Sequence, residues 1–276
     1  MTEKTRQPTE SPLSVPLPWN LVAPAYAAEV MPTFETFARE ALRLAAPAPG
    51  ARVVDVACGP GTLTGLASAQ GWVVDAVDFA PRMIDLLNAR GLPNVTARVG
   101  DGQALPFADG TFAAAFSIFG LIFFPDPQRG IAELRRVLAP SGRAAISSWP
   151  PMEEAPLLGP VMSAVRKAAG EVTGQPPGPS GPPPLSAPQD CMQEMSAAFT
   201  DVQVHEVTAY ERAESAEQFW DKAVRTMAPL VLLRRTIGDD AWQHIAQAGI
   251  SATRAECGSG PVTGVLRALI TVGTAG

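Results

Sequence analysis

The stretch Val53–Thr64, Val-Val-Asp-Val-Ala-Cys-Gly-Pro-Gly-Thr-Leu-Thr, decides the fold. Its short apolar run reads as a buried strand, Gly-Pro-Gly breaks the run in a tight turn, and helical spacing of apolar residues follows. Gly59 and Gly61 leave no side chain between the main chain and a ligand, and the free N–H groups of the next helix point into the same space. A flat or charged molecule can lie against this turn. The third glycine of a dinucleotide-type G-x-G-x-x-G falls on Thr64, and no Gly-Lys-Ser/Thr follows, which excludes a phosphate-cradling loop.

Outward from the turn, Trp72–Val77 reads as a second strand ending in Asp78-Phe79-Ala80-Pro81, with Pro81 suited to the first turn of a helix. An acid at that strand tip can accept both hydroxyls of a ribose. Asp78 is that acid, and Asp75, inside the strand, is its rival. Val95–Val99 makes a third strand, followed by Gly100-Asp101-Gly102-Gln103 one βα unit later. The fourth strand, Thr111–Ile118, runs into the aromatic loop Phe119-Gly120-Leu121-Ile122-Phe123-Phe124, whose rings face either the core or an apolar ligand. Pro125-Asp126-Pro127 opens a helix with Ile131, Leu134, Val137 and Leu138 inward, and Ala144–Trp149 is the fifth strand.

Asp55, Ala57, Gly59 and Gly61 match acidic-x-Gly-x-Gly-x-Gly, with alanine at the first glycine. With Asp78, Asp101-Gly102 and the string Ala132-Glu-Leu-Arg-Arg-Val-Leu-Ala-Pro-Ser-Gly-Arg143, this resembles the class I S-adenosylmethionine-dependent methyltransferases over about Trp19–Trp149. The last string is similar to small-molecule members, including the ubiquinone and menaquinone C-methyltransferases. The resemblance implies an α/β, Rossmann-like seven-stranded sheet of order 3-2-1-4-5-7-6, its last strand antiparallel, with helical lid insertions. It implies S-adenosylmethionine as cofactor and S-adenosylhomocysteine as product. Asp78 then holds the ribose, and Asp101 and Gly102 meet the adenine. Tyr26, Asp55, Ala57, Gly59, Gly61, Phe79, Met83, Gln103 and Ser117 complete the cofactor set. The Asn/Asp-Pro-Pro-aromatic signature of enzymes that methylate nucleic-acid or glutamine amines is absent after the fourth strand. A small apolar or aromatic acceptor, methylated at O, C or N, is the expectation, with Trp19, Phe119, Phe123 and Trp220 as candidate substrate contacts.

The chain has 276 residues, 46% hydrophobic and 17% charged, enough for one α/β core and a cap. The expected organisation is a flexible tail over 1–15 and one domain over 16–276, with lid segments near 16–46, 153–199 and 211–258. A net charge of −6 without a long basic run argues against a nucleic-acid partner. Cys58, Cys191 and Cys257 lie far apart, which argues against a metal site or a disulfide framework and fits a cytoplasmic protein. No apolar run is long enough for a membrane span.

A helix is expected from Thr33, with Phe34, Phe37, Ala38, Ala41 and Ala45 on one face. Trp19 and Tyr26, ahead of it, either close the cofactor pocket or pack on the core. Beyond Trp149 the expectations are a helix through Leu158–Ala169, a Pro/Gly-rich loop over 174–188, a helix over Gln189–Phe199 and a strand over Asp201–Thr208. A capping box at Ser215-x-x-Gln218, a helix near Asp240–Arg254 and a final strand over Val265–Thr271 follow. His205, among alternating valines, reads as structural, and His244 as part of a solvated helix face, so no catalytic base is named. Two other functions stay open: a cofactor-binding protein of the same fold that does not methylate and serves a regulatory or partner-binding role, and a nicotinamide oxidoreductase, which Thr64 disfavours.

Overall fold

A computed structural model of the chain describes residues 11–174 and 183–276. Seven strands form one sheet: β1 (Arg52–Val56), β2 (Val73–Asp78), β3 (Val95–Val99), β4 (Phe112–Ile118), β5 (Leu138–Ser148), β6 (Thr200–Ala213) and β7 (Val262–Thr274). The spatial order is β3-β2-β1-β4-β5-β7-β6, as the sequence led us to expect. Neighbours from β3 to β5 are parallel, and β7 runs antiparallel to both β5 and β6.

Alternation along the strands divides the core. Val53, Val74, Phe116 and Ile270 pack with Phe37 of α2 (Met31–Ala45) and Leu63 of α3 (Thr62–Ala69). Ile84 and Leu87 of α4 (Pro81–Ala89) cover Ala76. Val54, Val56, Ala115 and Ile146 pack with Ile131 and Leu134 of α5 (Pro127–Val137) and Met195 of α7 (Pro188–Ser196). A further core joins α6 (Leu158–Thr173), α8 (Ala216–Thr226), α9 (Ala228–Ile237) and α10 (Asp239–Cys257) through Val161, Phe219, Trp220, Leu230, Trp242 and Ile245. Ala213 of β6 and Val262 of β7 join this helical core to the edge of the sheet.

The N-terminal region differs most from its expected form. Pro16–Ala25 is a helix, α1, with Pro24 inside it, and Tyr26–Val30 is a π-helical turn leading straight into α2. Because the chain enters α2 already helical at Val30, Thr33 has no unpaired N-terminal amides to cap. Residues 11–15 are docked, not loose: Ser14 Oγ donates to the Phe123 carbonyl at 2.8 Å, and the Leu13 carbonyl accepts from Trp19 Nε1 at 2.8 Å. Residues 1–10, the rest of the expected tail, and 175–182 of the Pro/Gly-rich loop lie outside the described residues. The strands at the lid end, β5, β6 and β7, all run longer than their expected spans, and α9 adds a helix where none was expected.

Half of the expected capping box forms at α8: Ser215 Oγ accepts from Gln218 N at 3.2 Å, while Gln218 Oε1 reaches past the cap and accepts from the Glu214 amide instead of that of Ser215. Ala80, ahead of α4, offers no capping oxygen. Two other groups meet that need: Asp78 Oδ1 accepts from Ala80 N, and Asn20 Oδ1 of α1 accepts from Arg82 N, both within 2.9 Å. Asp75 is occupied elsewhere, bonded to Arg52 at 2.9 Å and Arg98 at 3.2 Å, which removes it as a rival to Asp78.

Candidate functional site

Alternating left-handed residues shape the bend after β1: Ala57 at φ 55°, Gly59 at 54° and Gly61 at 87°. For Ala57 this conformation costs about 1–2 kcal/mol, which explains why the matched pattern carries glycine there. A Cβ at Gly59 would meet no atom within 4 Å, so this residue keeps the backbone open toward a neighbouring cavity. At Gly61 a Cβ would overlap Leu87 of α4, so its requirement is packing behind the turn. Asp55 also lies behind it, 1% exposed, its Oδ2 accepting from Thr64 N at 3.1 Å and Thr64 Oγ1 at 2.6 Å. It ties the end of β1 to the first turn of α3.

A residue outside the sequence expectations completes this brace. Arg90 Nη1 donates to the carbonyls of Pro60 at 3.0 Å and Gly61 at 2.5 Å. A Cβ on Gly65 would overlap the same guanidinium, so this glycine clears a seat for it. Arg90→Met removes two carbonyl partners and is expected to cost about 1–2 kcal/mol of stability and to weaken ligand binding at the turn several-fold. Urea unfolding and titration calorimetry check both numbers; Arg90→Lys recovers part of each.

Asp78 stands at the tip of β2, 6% exposed. Its Oδ2 accepts from Gly59 N and its Oδ1 from Ala80 N, both at 2.8 Å, which fixes the carboxylate. Burial lifts its pKa to about 6 against the lowering effect of those bonds. Burial likewise lifts Asp55 to about 7 despite its bonds to Thr64, and the charge of Asp78 adds to the rise. The sign follows from proton uptake. Both carboxyls hold protons in the folded chain where the unfolded chain has lost them, so stability falls as pH rises from about 4 to 7. Asp55→Asn is expected to flatten that fall by on the order of 2 kcal/mol, read from unfolding midpoints at pH 5 and 7.5.

Two cavities adjoin here. The first, about 400 Å3, is lined by Tyr26, Ala57, Gly59, Asp78, Phe79, Met83, Asp101, Gly102 and Gln103, all expected cofactor residues, with Trp19, Phe119, Phe123 and others. Asp101 Oδ1 accepts from Gln103 N at 2.8 Å, and Gln103 Oε1 accepts from Asp126 N at 3.0 Å, anchoring that segment to α5. A Cβ on Gly102 would overlap the Phe124 ring and stand 2.8 Å from Val56, so only glycine fits without displacement. Among the expected cofactor residues, Asp55, Gly61 and Ser117 do not line the cavity. Ser117 is fully buried, and its Oγ has no hydrogen-bond partner among the described residues.

The second cavity, about 430 Å3, is mainly apolar, its walls including Val30, Phe34, Trp149, Met152, Leu158, Phe219, Met227, Leu266 and Leu269. Trp19, Tyr26, Phe119 and Phe123 line both cavities and form their common wall. Phe119 takes φ 60°, rare for a bulky side chain, with its N–H bonded to Ser147 Oγ at 2.9 Å. Its ring stacks on Trp149, centroids 3.8 Å apart and planes within 1°. Burial and the charge of Asp78 push the Tyr26 phenol well above its ordinary pKa. Trp220 lines neither cavity: it is 2% exposed, in the lid core against Trp242. His205 and His244 also lie off both walls, His244 paired with Glu171 at 2.9 Å.

The first cavity fits S-adenosylmethionine on its own chemistry. Among the described residues that line it, the charged ones are two aspartates and none is a cation, which suits a sulfonium. Asp78, held by two backbone amides, keeps acceptor capacity for two ribose hydroxyls.

The sheet order is that of the class I methyltransferase architecture, and comparison with known proteins agrees with this fold. Residues 53–142 match the methyltransferase domain family. The demethylmenaquinone methyltransferase of Corynebacterium kroppenstedtii is 42% identical over 103 residues, 37% of this chain and 44% of that one. That of Thermus thermophilus is 40% identical over 119 residues, 41% of this chain and 54% of that protein. The chain spans about half the length of these curated relatives. The crystal structure of the [4+2]-cyclase SpnF superposes with a TM-score of 0.58 at 15% identity, covering 94% of each chain, a likeness of fold. Over residues 53–142 the chain therefore matches a methyltransferase domain, and its sheet has the strand order of the Rossmann-like methyltransferase fold. Among the described residues no helix is long and apolar enough to cross a membrane, and no cluster of three or more metal-ligating side chains occurs.

Proposed function

We propose that this protein transfers a methyl group from S-adenosylmethionine to O, C or N of a small apolar or aromatic metabolite held in the second cavity. The observation that carries the reading is the common wall of Trp19, Tyr26, Phe119 and Phe123 between a cavity suited to the cofactor and an apolar one beside it. The cofactor residues in this reading are Tyr26, Ala57, Gly59, Asp78, Phe79, Met83, Asp101, Gly102 and Gln103, with Asp55, Gly61 and Arg90 bracing the turn from behind. The relatives named demethylmenaquinone methyltransferase favour a quinol-like acceptor.

When bound, the cofactor supplies a methyl already activated on sulfur, so the protein's share is alignment and exclusion of water. Asp78 orients the ribose. The aromatic wall sets the plane in which an acceptor approaches and keeps the boundary dry. Among the described residues neither cavity is lined by histidine, so a proton lost by the acceptor passes in this reading to solvent or to a carboxylate lining the second cavity, where Glu154, Glu206 and Glu211 stand.

Incubation with methyl-labelled S-adenosylmethionine and a panel of quinols, phenols, amines and carboxylic acids tests it. Label is expected in one chemical class, quinols or phenols first. The fold shared with a [4+2]-cyclase supports a second reading, cofactor binding without methyl transfer. Tight cofactor binding with no labelled product across the panel would decide for that alternative.

A further inference from the structure

The mainly apolar second cavity contains an ion pair that neither the cofactor nor the packing explains. Lys222 Nζ of α8 lies 2.6 Å from Glu211 Oε1 near the end of β6, with side chains 18% and 17% exposed. Both residues line the second cavity and neither lines the first, so the pair sits off the common wall. Desolvating two charges offsets most of their attraction, and apolar residues of similar volume often serve stability as well or better. Its place in a greasy chamber therefore points to recognition.

The remaining hydrogen-bonding capacity says what would be recognised. An ammonium has three N–H donors, and among the described residues Glu211 is the partner found for that of Lys222, which leaves donors for a ligand. The Glu211 carboxylate beside it offers acceptor lone pairs. The neighbouring Glu29 is committed, held by Arg225 through two bonds of 3.0 Å. A donor next to an acceptor, neutral as a pair, complements a hydroxyl or carbonyl oxygen on a neutral molecule. Among the other charged lining residues Glu154 and Glu206 outnumber Arg267, which opposes an anionic head group.

We propose that the Lys222–Glu211 pair is a polar anchor for the acceptor, selecting neutral oxygenated aromatic molecules over hydrocarbons and holding their oxygen away from the common wall. The proposal rests on the methyl-acceptor reading of this cavity and names its substrate class more closely: an aromatic body against Phe119 and Trp149, with an oxygen substituent at the anchor. Lys222 and Glu211 act here as specificity-determining residues; the methyl transfer itself takes place at the wall.

The test uses the full chain saturated with S-adenosylhomocysteine, whose binding is first measured by calorimetry, and equilibrium dialysis against 1-naphthol and naphthalene. The wild type is expected to bind 1-naphthol about tenfold more tightly than naphthalene, the discrimination one hydrogen bond to a charged group provides. Lys222→Met should bring the two probes to within twofold of each other, with naphthalene binding unchanged. Because this substitution leaves Glu211 unpaired, Lys222→Met/Glu211→Leu is measured beside it and should erase the preference without a folding penalty. Equal binding of the probes by the wild type, no binding of either, or a preference that survives in the double variant would overturn the anchor. A chain that fails to bind S-adenosylhomocysteine overturns the cofactor reading instead, so the two failures are separable.

Discussion

Asp78→Ala is expected to weaken S-adenosylmethionine binding by about 100-fold or more. The arithmetic starts from two hydroxyl contacts to a carboxylate, each on the order of 1.5–3 kcal/mol, against about 1.4 kcal/mol per factor of ten. A second loss adds to it, because the amides of Gly59 and Ala80 lose their acceptors and the bend loses its strut. Acidity gives an independent check. With a pKa near 6, Asp78 is half protonated in mildly acid solution, where its acceptor capacity drops. Ribose hydroxyls favour the ionised form, so wild-type affinity should rise as pH passes from 5 to 7.5, bending near 6, while Asp78→Asn should be weak and flat. Calorimetry across that range reads both. Unchanged affinity in Asp78→Ala would remove the ribose from this strand tip.

Trp220→Ala is the second large effect, about 3–5 kcal/mol of stability, the usual cost of emptying a buried tryptophan site. Its indole fills the lid core so fully that a Cβ on Gly249 of α10 would overlap the ring, and it lies 6.0 Å from the Trp242 ring at 19°. This core is distinct from the clusters on the two faces of the sheet, so the damage should concentrate in α6, α8, α9 and α10. Cofactor affinity is expected to change little and acceptor turnover to collapse, with a lowered urea midpoint and accelerated amide exchange in the lid helices. A residue touching acceptor directly would give the opposite pattern, an altered KM at an unchanged midpoint. Trp220→Phe should recover most of the stability.

The parts of the molecule legible in the sequence are those whose causes are local. Parallel strands buried on both faces read as apolar runs, a glycine bend ends the first, and an acid ends the second; β1, the turn, β2 and Asp78 stand where those signals put them. The helices beyond Trp149 were legible in part, through helical spacing and Ser215, but spacing alone cannot tell a tryptophan in a helical core from one on a ligand. Arg90 was invisible for another reason: its partners, Pro60 and Gly61, lie about thirty residues back, and nothing near Arg90 announces them. Gly65 was the available clue, a glycine inside a helix with no turn to make. Helix α1 was hidden by Pro16, Pro18 and Pro24, which read as breakers although two of them stand in its first turn, where proline is tolerated. The second cavity draws on α2, β6, β7 and the lid at once, so no single stretch foretold it.

The near-coplanar stack of Phe119 on Trp149 gives the protein a built-in optical gauge. That indole borders the second chamber, so a guest displacing water from it should shift the emission toward the blue, and an aromatic guest absorbing nearby should dim it. Occupancy could then be followed in real time with no label on either molecule, and a Trp149→Phe variant would separate its signal from that of Trp19, which borders the same chamber.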